Sequence, residues 1–432
     1  MTILLIVSLI LLLIVLNVPV AYAMLGGSLL YFLTNDSFMN ETLTNELVGL
    51  SHFHLLGIVF FITAGVLMNY TGITRRMLTF AKLVTGHLTG GLAKVNVTMS
   101  VLTGGLSGSN VADAAMQSKI LVPEMVKKGY APGFSAALTA TSSLITPILP
   151  PGIALILYGY VGNVSIGDLF IAGIIPGLLL AVFLLIYVHF AAKKSRGFEQ
   201  VKEERPKGTD VLVASKDALL ALLLPIIIIG GIRLGAFSPT EAGAIAVVYA
   251  LIIGFFIYRE MTFKDLWLAL KESIQIIATV MIIIAAGTAF GWILTLEQVP
   301  QALTSTITGL INHPILFLLI IFVFLLIVGM FIEGNVMLII LTPIFIPMLE
   351  TYGIDPVHFG IFFILCLSIG TITPPIGTIM FTTAAITKVK IEVFIKEVIP
   401  FCPTHSSNTR YHFYPSNFTM VARITFLNLK KE

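Results

Sequence analysis

Long apolar runs separated by short polar connections extend along most of this chain. A helix needs roughly 20 mostly apolar residues to cross a membrane. Runs of about that length lie near 3–33, 54–70, 168–192, 216–237, 240–258, 274–296 and 314–332. Shorter or interrupted apolar pieces lie between them, near 91–125, 134–160, 336–349 and 359–386. The pattern predicts an all-α polytopic membrane protein.

The first apolar run permits two interpretations. The triplet Ala21-Tyr22-Ala23 resembles a signal-peptide cleavage site. However, no basic residue precedes the run, and its apolar character continues through Leu33. These features favour an uncleaved first membrane helix.

The connections fall into two classes by charge, and this difference orients the chain. Lysine and arginine in short loops mark the cytoplasmic side of a membrane protein. Basic connections lie at 75–82, 127–128, 193–207, 259–271 and 388–396, whereas 34–53, 152–167, 297–313 and 350–358 contain neither Lys nor Arg. The first set is predicted inside and the second outside.

The segment 91–125 has basic residues beyond both of its ends, so both ends are predicted on the cytoplasmic side. It must then enter the membrane, turn and return. The turn is expected at "GGLSGSN", Gly104 to Asn110, because glycine permits a tight reversal. Non-helical backbone at that depth is tolerated only where protein or a water-filled cavity surrounds it. We therefore expect a re-entrant hairpin whose polar tip is buried in protein.

The next segment, 134–160, runs from the inner lysines to an uncharged outer connection and should cross the membrane. Its middle reads "TPILPPG", Thr146 to Gly152. Each proline removes a backbone donor and disrupts helical hydrogen bonding. The sequence therefore predicts a discontinuous helix with its break near the middle.

The second half repeats this design with reversed polarity. The segment 314–349 lies between two outer connections, and its turn reads "GMFIEGNV", Gly329 to Val336. The segment 359–386 then runs inward and is interrupted by "TITPPIG", Thr371 to Gly377. Two inverted halves of this kind are typical of secondary transporters that bind their cargo near the bilayer midplane.

The tips and breaks supply the candidate binding chemistry. Freed carbonyls together with hydroxyl and amide oxygens suit a hard monovalent cation such as Na⁺, and free N–H groups at helix starts attract anions. The predicted cation ligands are Ser107, Ser109, Asn110 and Thr146, with Gly334, Asn335, Thr371 and Thr373 as their counterparts. The substrate is expected between the tips, against Gly108, Pro150, Pro151, Pro374 and Pro375.

Several of these residues have a simpler interpretation that stays open here. Gly104, Gly105 and Gly108 could merely allow helices to pack closely, and Thr146 and Thr373 could bond back to carbonyls of their own helix. Asp113 and Glu333 lie at the tips, and ionisable groups at membrane depth are functional candidates by default. We expect them to support the site rather than to ligate directly.

Two further predictions concern the remaining segments. Arg233 and Glu241 flank "LGAFSPT" and are expected to pair within a loop of the scaffold. The stretch Met261 to Ser273 mixes apolar and charged residues, which suits an interfacial amphipathic helix.

Composition agrees with a membrane protein. Hydrophobic residues make up 57% of the 432 and charged residues 11%, whereas a soluble domain carries about 25% charge. The net charge of +3 is spread beside apolar spans, so no nucleic-acid partner is indicated. Cys366 and Cys402 form no disulfide or metal pattern, and no cofactor is predicted.

Several separate motifs in this order resemble the large membrane subunit, the DctM-like permease, of tripartite ATP-independent periplasmic (TRAP) transporters. They are "GGLSGSNVADAA", "ITPILPPG", "GGIRLGAFSPTEAGA", "YREMTFKDLW" and "GIDPVHFG…IGTITPPIG". The resemblance covers about residues 1–400. It implies a bacterial inner-membrane importer of small organic acids, of the sialic acid, dicarboxylate or keto sugar acid class, with Na⁺ as the coupling ion.

The same resemblance implies partners and a mechanism. The expected partners are a periplasmic solute-binding protein and a small four-helix membrane subunit, with a small anionic substrate and the lipid bilayer. The implied fold is an inverted-repeat ion-transporter-type fold with two re-entrant hairpins and two discontinuous helices. These would slide as an elevator-type transport domain past a scaffold.

The predicted organisation follows from these assignments. Scaffold helices occupy 1–90; the first repeat core, 91–192, contains the hairpin 91–125 and the broken helix 134–160. A cytoplasmic linker, scaffold helices and an amphipathic arm occupy 193–273, and the second repeat, 274–400, contains the hairpin 314–349 and the broken helix 359–386.

Residues 401–432 depart from the resemblance, which calls for one more apolar helix after Pro400. The chain instead continues with a polar tail that contains no spanning run. We favour a frameshift near codon 401 as its origin over a divergent soluble tail. Resequencing the locus tests this hypothesis, which requires an intact apolar reading frame in a neighbouring phase.

Other functions share parts of this pattern. Gly105 to Gly108 fits the G-x-S-G pattern of rhomboid-type intramembrane serine proteases, but the mechanism needs a base near Ser107, and His189 lies too close to the inner surface. A related divalent-anion/Na⁺ symporter without a binding protein would share the inverted hairpins. A channel is disfavoured because the tips should block the pathway. The substrate, the Na⁺ stoichiometry and the oligomeric state stay undetermined at this point.

Overall fold

The computed structural model describes residues 2–16, 18–34, 53–194, 206, 208–311 and 313–399. Every regular element within these residues is a helix, as the apolar pattern predicts. The predicted tail 401–432, with Cys402, and most of the linker after residue 194 lie outside the described residues.

The α-helices described in the first half are α1 (Thr2–Val15), α2 (Val20–Thr34), α3 (Phe53–Tyr70), α4 (Ile73–Thr85), α5 (Gly91–Ser107), α6 (Asn110–Lys127), α7 (Pro132–Ser142), α8 (Ile153–Val161) and α9 (Ile166–Lys194). Those described in the second half are α10 (Gly208–Arg233), α11 (Pro239–Ile252), α12 (Phe263–Leu296), α13 (Val299–Leu310), α14 (Pro314–Gly329), α15 (Gly334–Tyr352), α16 (Pro356–Ile372), α17 (Thr378–Thr387) and α18 (Ile391–Val398).

Five helices of the described residues are long and apolar enough to cross a membrane: α9, α10, α11 with the π-helical turn that follows it, α12 and α15. A sixth is obtained if α3 and α4, which meet at a bend of 69°, count as one broken span. The runs predicted near 168–192 and 240–258 thus form helices within a few residues of the expected bounds, whereas the helix for the run near 216–237 begins eight residues earlier, at Gly208.

The N-terminal run is not the single helix that the sequence predicted over 3–33. The helix α1 ends at Val15 and α2 begins at Val20, just after Pro19, which has no N–H to continue α1. The two helices fold back against each other, since a Cβ added at Gly27 would lie 2.5 Å from Cγ1 of Ile10. Two residues 17 positions apart could not touch along one straight helix.

The expected interfacial helix over 261–273 is also wrong as a separate element. It forms the first turns of α12, which runs unbroken for 34 residues. Thr262 begins this helix through a capping box in which its side chain accepts from the N–H of Asp265. No proline follows until Pro300, so nothing ends the helix where the composition changes. Phe263 and Trp267 stay exposed on its first turns.

The two halves repeat one arrangement, and each packs into the other. In the first half the hairpin α5–α6 is followed by the interrupted pair α7 and α8; in the second, α14–α15 is followed by α16 and α17. The returning helix α6 packs against α17, and its counterpart α15 packs against α8. The broken helices predicted at 134–160 and 359–386 are therefore present, and each joins the two halves.

An ion pair also joins the first hairpin to the bent helix before it. The Lys82 ammonium on α4 lies 2.7 Å from one carboxylate oxygen of Glu124 on α6. Both side chains are about one-third exposed, so this pair fixes an orientation more than it adds stability.

Candidate functional site

The tip of the first hairpin is shorter than the sequence predicted. The helix α5 continues through Gly104 and Gly105 to Ser107, and only Gly108 and Ser109 form the turn. Gly108 has φ +58°, a left-handed conformation that favours glycine. Ser109 caps α6, because its Oγ accepts from the N–H of Ala112 at 3.3 Å.

Gly104 and Gly105 instead serve packing, which was the simpler of their two interpretations. A Cβ at Gly104 would lie 3.2 Å from Cβ of Leu149, and one at Gly105 would lie 2.8 Å from Cγ of Pro225. These glycines therefore let α5 approach the interrupted segment and α10. Only Gly108 is required by the turn itself.

The tip of the hairpin lies directly on the break of the first discontinuous helix. A Cβ at Gly108 would lie 2.7 Å from the backbone nitrogen of Ile153 and 2.8 Å from the carbonyl oxygen of Pro151. Within the break, a Cβ at Gly152 would lie 2.4 Å from the carbonyl oxygen of Pro147. Two stretches of irregular backbone from different helices thus face each other at close range.

The carbonyl groups of this break have free acceptor capacity. Among the described residues, no hydrogen bond reaches the carbonyl oxygens of Pro147, Pro150 or Pro151. Pro150 and Pro151 are buried, so these oxygens face protein rather than open solvent. Buried carbonyls without donors are the type of ligand that a hard cation takes.

Asp113 lies at the centre of the polar side chains behind the tip. It is only 1% exposed, and its carboxylate accepts four hydrogen bonds from both hairpin helices and the break. Thr103 Oγ1 donates at 2.6 Å, Ser100 Oγ at 2.8 Å, Gln117 Nε2 at 2.8 Å and Thr146 Oγ1 at 3.2 Å. A buried carboxylate whose donors among the described residues are all neutral keeps an attraction for a cation nearby.

The Thr146 hydroxyl thus donates its hydrogen bond to Asp113 rather than to a carbonyl of its own helix. Its simpler interpretation is therefore wrong, and the oxygen keeps lone pairs for another partner. Asn110 lies at the start of α6, where its Oδ1 accepts from the N–H of Val111 at 2.9 Å. The side chain of Ser107 lies outside the described residues.

Sequence reasoning missed a polar column that extends from Asp113 along α5 and α7. Asn96 is fully buried, donates to Thr139 Oγ1 at 2.7 Å and accepts from Ser142 Oγ at 2.7 Å. With Ser100 and Thr103, Asn96 recurs at spacings of three and four residues, so all three share one face of α5. That spacing within an apolar helix was a usable signal.

The second repeat places its polar groups differently. Glu333 occupies the N-cap position of α15 without a side-chain capping hydrogen bond, and Asn335 Nδ2 donates to its Oε1 at 2.7 Å. Thr371 and Thr373 bond back to carbonyls of their own helix, those of Ser368 and Ile369, at 2.6 and 2.7 Å. For Thr373 the hydrogen bond to its own helix, which was the simpler interpretation, is thus confirmed. The hydroxyl oxygens of Thr371 and Thr373 still keep lone pairs that can bind another partner.

The second break is more open than the first. Pro374 is half-buried and Pro375 exposed, whereas the prolines of the first break are buried. Gly377 brings backbone together there, since a Cβ would lie 2.8 Å from the carbonyl oxygens of Thr371 and Thr373. The hydroxyl of Thr378 is buried and has no partner among the described residues, a feature that the sequence did not reveal. Gly334 packs near Leu367 of α16, so the second tip lies beside the helix that leads to this break.

The expected loop pair between Arg233 and Glu241 is not formed. Glu241 instead accepts from the backbone N–H of Ser238 at 2.7 Å, and the Ser238 side chain accepts in return from the N–H of Glu241. This capping box begins α11 and occupies the carboxylate locally. Ser238 at N-cap and Glu241 at N3 thereby each accept from a backbone N–H of the other. A pair between Glu241 and Arg233 would leave these two N–H groups without those acceptors.

Comparison with known proteins places this arrangement in context. A family profile described as the tripartite ATP-independent periplasmic transporter, DctM component, matches residues 6–407. The chain is 38% identical to the sialic acid TRAP transporter large permease protein SiaM of Vibrio cholerae, covering 89% of this chain and 90% of that protein. It is 36% identical to the 2,3-diketo-L-gulonate TRAP transporter large permease protein YiaN of Escherichia coli, covering 90% and 91%.

A further relative is the C4-dicarboxylate TRAP transporter large permease protein DctM of Pseudomonas aeruginosa, 37% identical over 87% of this chain and 88% of that protein. Among solved structures, the YdaH transporter of Alcanivorax borkumensis has a TM-score of 0.57 at 15% identity, covering 90% of this chain and 86% of that chain. This last likeness concerns the fold alone.

Proposed function

Since the chain belongs to the DctM component of the tripartite ATP-independent periplasmic transporter family, we propose that it couples Na⁺ entry to the uptake of a small organic acid. Like its relatives, it is a multi-pass large permease subunit and not an enzyme. We place it in the bacterial inner membrane, with its basic connections on the cytoplasmic side.

The observation that carries the proposal is the contact between Gly108 and the break at Pro151 and Ile153. It supports a cation site built from tip and break, in which carbonyl oxygens without donors serve as ligands. Asp113 behind the tip supplies negative charge, and the donors around it hold it in place. Ser107, Ser109, Asn110 and Thr146 are the proposed side-chain contributors.

The second repeat supports a counterpart site with different chemistry. Asn335, Thr371, Thr373 and Gly334 are its proposed members, and Glu333 rather than a buried aspartate supplies the charge. Thr378, whose buried hydroxyl lacks a partner among the described residues, joins this proposed set. Because the second break is more exposed, we expect its ion to exchange faster with solvent.

Helix starts suit the anionic substrate. Four helices, α6, α8, α15 and α17, begin at the tips and breaks, and the free N–H groups of a helix N-terminus attract negative charge. We propose that a carboxylate binds between the tips, against Gly108, Pro150, Pro151, Pro374 and Pro375. The relatives carry the names of sialic acid, diketogulonate and C4-dicarboxylate systems, which supports a small organic acid as the proposed substrate class.

The proposal includes two partner proteins, a periplasmic solute-binding protein and a small four-helix membrane subunit. The test is uptake in proteoliposomes that contain this chain, both partners and an inward Na⁺ gradient. Sialic acid, succinate and 2,3-diketo-L-gulonate are supplied in turn. Wild type should accumulate one of the acids only with Na⁺, and both Asn110→Ala and Asn335→Ala should raise the Na⁺ concentration for half-maximal uptake by about tenfold.

Two results would contradict this proposal. Unchanged Na⁺ dependence in both asparagine variants would remove the cation assignment. Full uptake without the binding protein would instead indicate the rival, a symporter that works alone. Asn69→Ala is the matched control, since Asn69 lies exposed near the end of α3, outside both tips and both breaks.

A further inference from the structure

A large cavity opens between the scaffold and the two repeats, away from the proposed cation sites. Its volume is about 1460 Å³. The connection between α8 and α9, the corner between α10 and α11, the last turns of α12 and one side of α15 form its walls. The lining residues that matter here are Asn163, Asp168, Arg233, Ser238, Trp292 and Pro343.

The topology predicted from loop charge places the cavity on the outer side of the membrane. Its wall contains residues 163–168 and 233–239, which are the ends of helices opposite the basic connections. Of the described residues, Arg233 is the one lysine or arginine placed at an outer helix end by this topology. Lysine and arginine are generally enriched in the cytoplasmic loops of membrane proteins. An arginine at the outer opening departs from this distribution, which suggests a specific role for it.

Arg233 has no carboxylate partner within the described residues. Glu241, its neighbour across the corner, is held by Ser238 at 2.7 Å. Asp168 lines the same cavity, yet the ion pairs of the described part of the chain include none between Asp168 and Arg233. The guanidinium is exposed, and its planar fork of donors matches a carboxylate in two-point contact.

One wall of the cavity belongs to the helix that begins at the second tip. Pro343 forms part of its wall and lies on α15, the helix that begins at Gly334 beside that tip. Nine residues of helix correspond to about 14 Å along the axis. A Cβ at Gly291 of α12 would lie 3.5 Å from Cγ of Pro343, so α12 and α15 meet at the cavity wall.

We propose that Arg233 binds the carboxylate of the incoming organic acid in this outer cavity, before the acid reaches the interior site. This inference rests on the proposed function, because it assumes that the cargo is a small organic acid. Arg233 adds charge-specific capture at the opening, where a cation attracts an anion over a distance and raises its local concentration. Asp168 opposes this capture, since it places a negative charge on the same wall.

The test uses the fluorescence of Trp292, which lines the cavity, in a Trp267→Phe background of the purified full chain. Sialic acid and succinate are titrated separately, and their uncharged methyl esters serve as matched ligands without the carboxylate. We expect a saturable change with at least one acid and a much weaker one with its ester. Arg233→Gln should weaken the apparent affinity about tenfold, Arg233→Lys should weaken it less, and Asp168→Asn should strengthen it.

Binding is measured here without transport, so failure of this inference and failure of the proposed function are distinguishable. A titration by wild type that Arg233→Gln leaves unchanged would overturn the role of Arg233, as would no response to either acid. Equal losses in Arg233→Gln and Asp168→Asn, restored by exchanging the two residues, would assign them to an ion pair and also overturn it. Saturable binding lost in Arg233→Gln supports the inference even if Na⁺-driven uptake is not observed.

Discussion

At the scale of single residues, Gly108 shows how much of the site depends on backbone freedom. Its φ of +58° closes the turn, and its missing side chain lets the tip touch the break at Pro151 and Ile153. Behind it, Asp113 organises Ser100, Thr103, Gln117 and Thr146 by accepting from each of them. The residues that shape the proposed cation site are thus a turn glycine and a buried carboxylate.

Gly108 meets two requirements, a left-handed backbone and the absence of a side chain. A comparison of Gly108→Ala with Gly353→Ala separates their effects. Both glycines have positive φ, +58° and +64°, but a Cβ at Gly108 would meet backbone atoms closer than 3.0 Å, whereas a Cβ at Gly353 would enter open space. We expect Gly353→Ala to cost about 1 kcal/mol, the strain of a left-handed alanine, and to retain uptake. Gly108→Ala should cost more and lower Na⁺-dependent uptake at least about tenfold.

Thermal unfolding of the detergent-purified variants and uptake in proteoliposomes measure the two effects. Equal losses of stability and uptake in both alanine variants would mean that strain alone matters. The close contact between tip and break would then have no functional weight.

At the scale of elements, the side chains between two helices decide how closely the helices pack. The helices α12 and α15 pack against each other at Gly287 and Gly291, one helical turn apart. A Cβ at Gly287 would lie 2.0 Å from Cγ2 of Ile339, while one at Gly291 would lie 3.5 Å from Cγ of Pro343. Both glycines lie in the predicted second repeat, 274–400, so this contact joins the first helix of that repeat to its hairpin helix α15 and bears on whether the hairpin moves relative to α12.

Gly287→Ala and Gly291→Ala should therefore differ. Ile339 is 1% exposed and cannot move aside freely, so Gly287→Ala overpacks the contact and should destabilise by ~1–3 kcal/mol. Gly291→Ala should be neutral or slightly stabilising, since alanine favours the helix by about 0.5–1 kcal/mol over glycine. Thermal unfolding checks stability, and initial uptake rates, which should fall only for Gly287→Ala, check the motion.

Loss of uptake without loss of stability in Gly287→Ala would point to motion across this contact. Equal behaviour of the two variants would show that the closer approach at Gly287 has no consequence.

At the scale of the whole molecule, the two repeats support each other. The helix α6 packs on α17 and α15 packs on α8, so neither hairpin is held by its own half alone. Helices of the two halves therefore share packed contacts next to both tips. The charge pattern separately predicts that both ends of the first hairpin lie on one side of the membrane.

Cysteine accessibility tests this topology in a background with Cys366→Ala and Cys402→Ser. Lys82→Cys and Lys127→Cys flank the first hairpin and should react with a membrane-impermeant maleimide only in inside-out vesicles. Leu234→Cys, at a site that is 85% exposed in the α10–α11 corner, should react only in right-side-out vesicles. Reaction of residues 82 and 127 from different sides would make the first hairpin an ordinary crossing.

The amino-acid sequence by itself determined the membrane class, the two hairpins as pairs of helices and the positions of both breaks. These features depend on local chemistry: apolar runs form helices, and the prolines of "TPILPPG" and "TITPPIG" end them wherever the rest of the chain lies. Only the tertiary structure decided that α1 and α2 fold back on each other, that α12 continues through 261–273, and that Glu241 bonds to Ser238 rather than to Arg233. It also gathered Asn96, Ser100 and Asp113 into one buried network. Contacts of this kind join residues far apart in the chain, and they depend on which helix faces pack together rather than on the order of residues within any one segment.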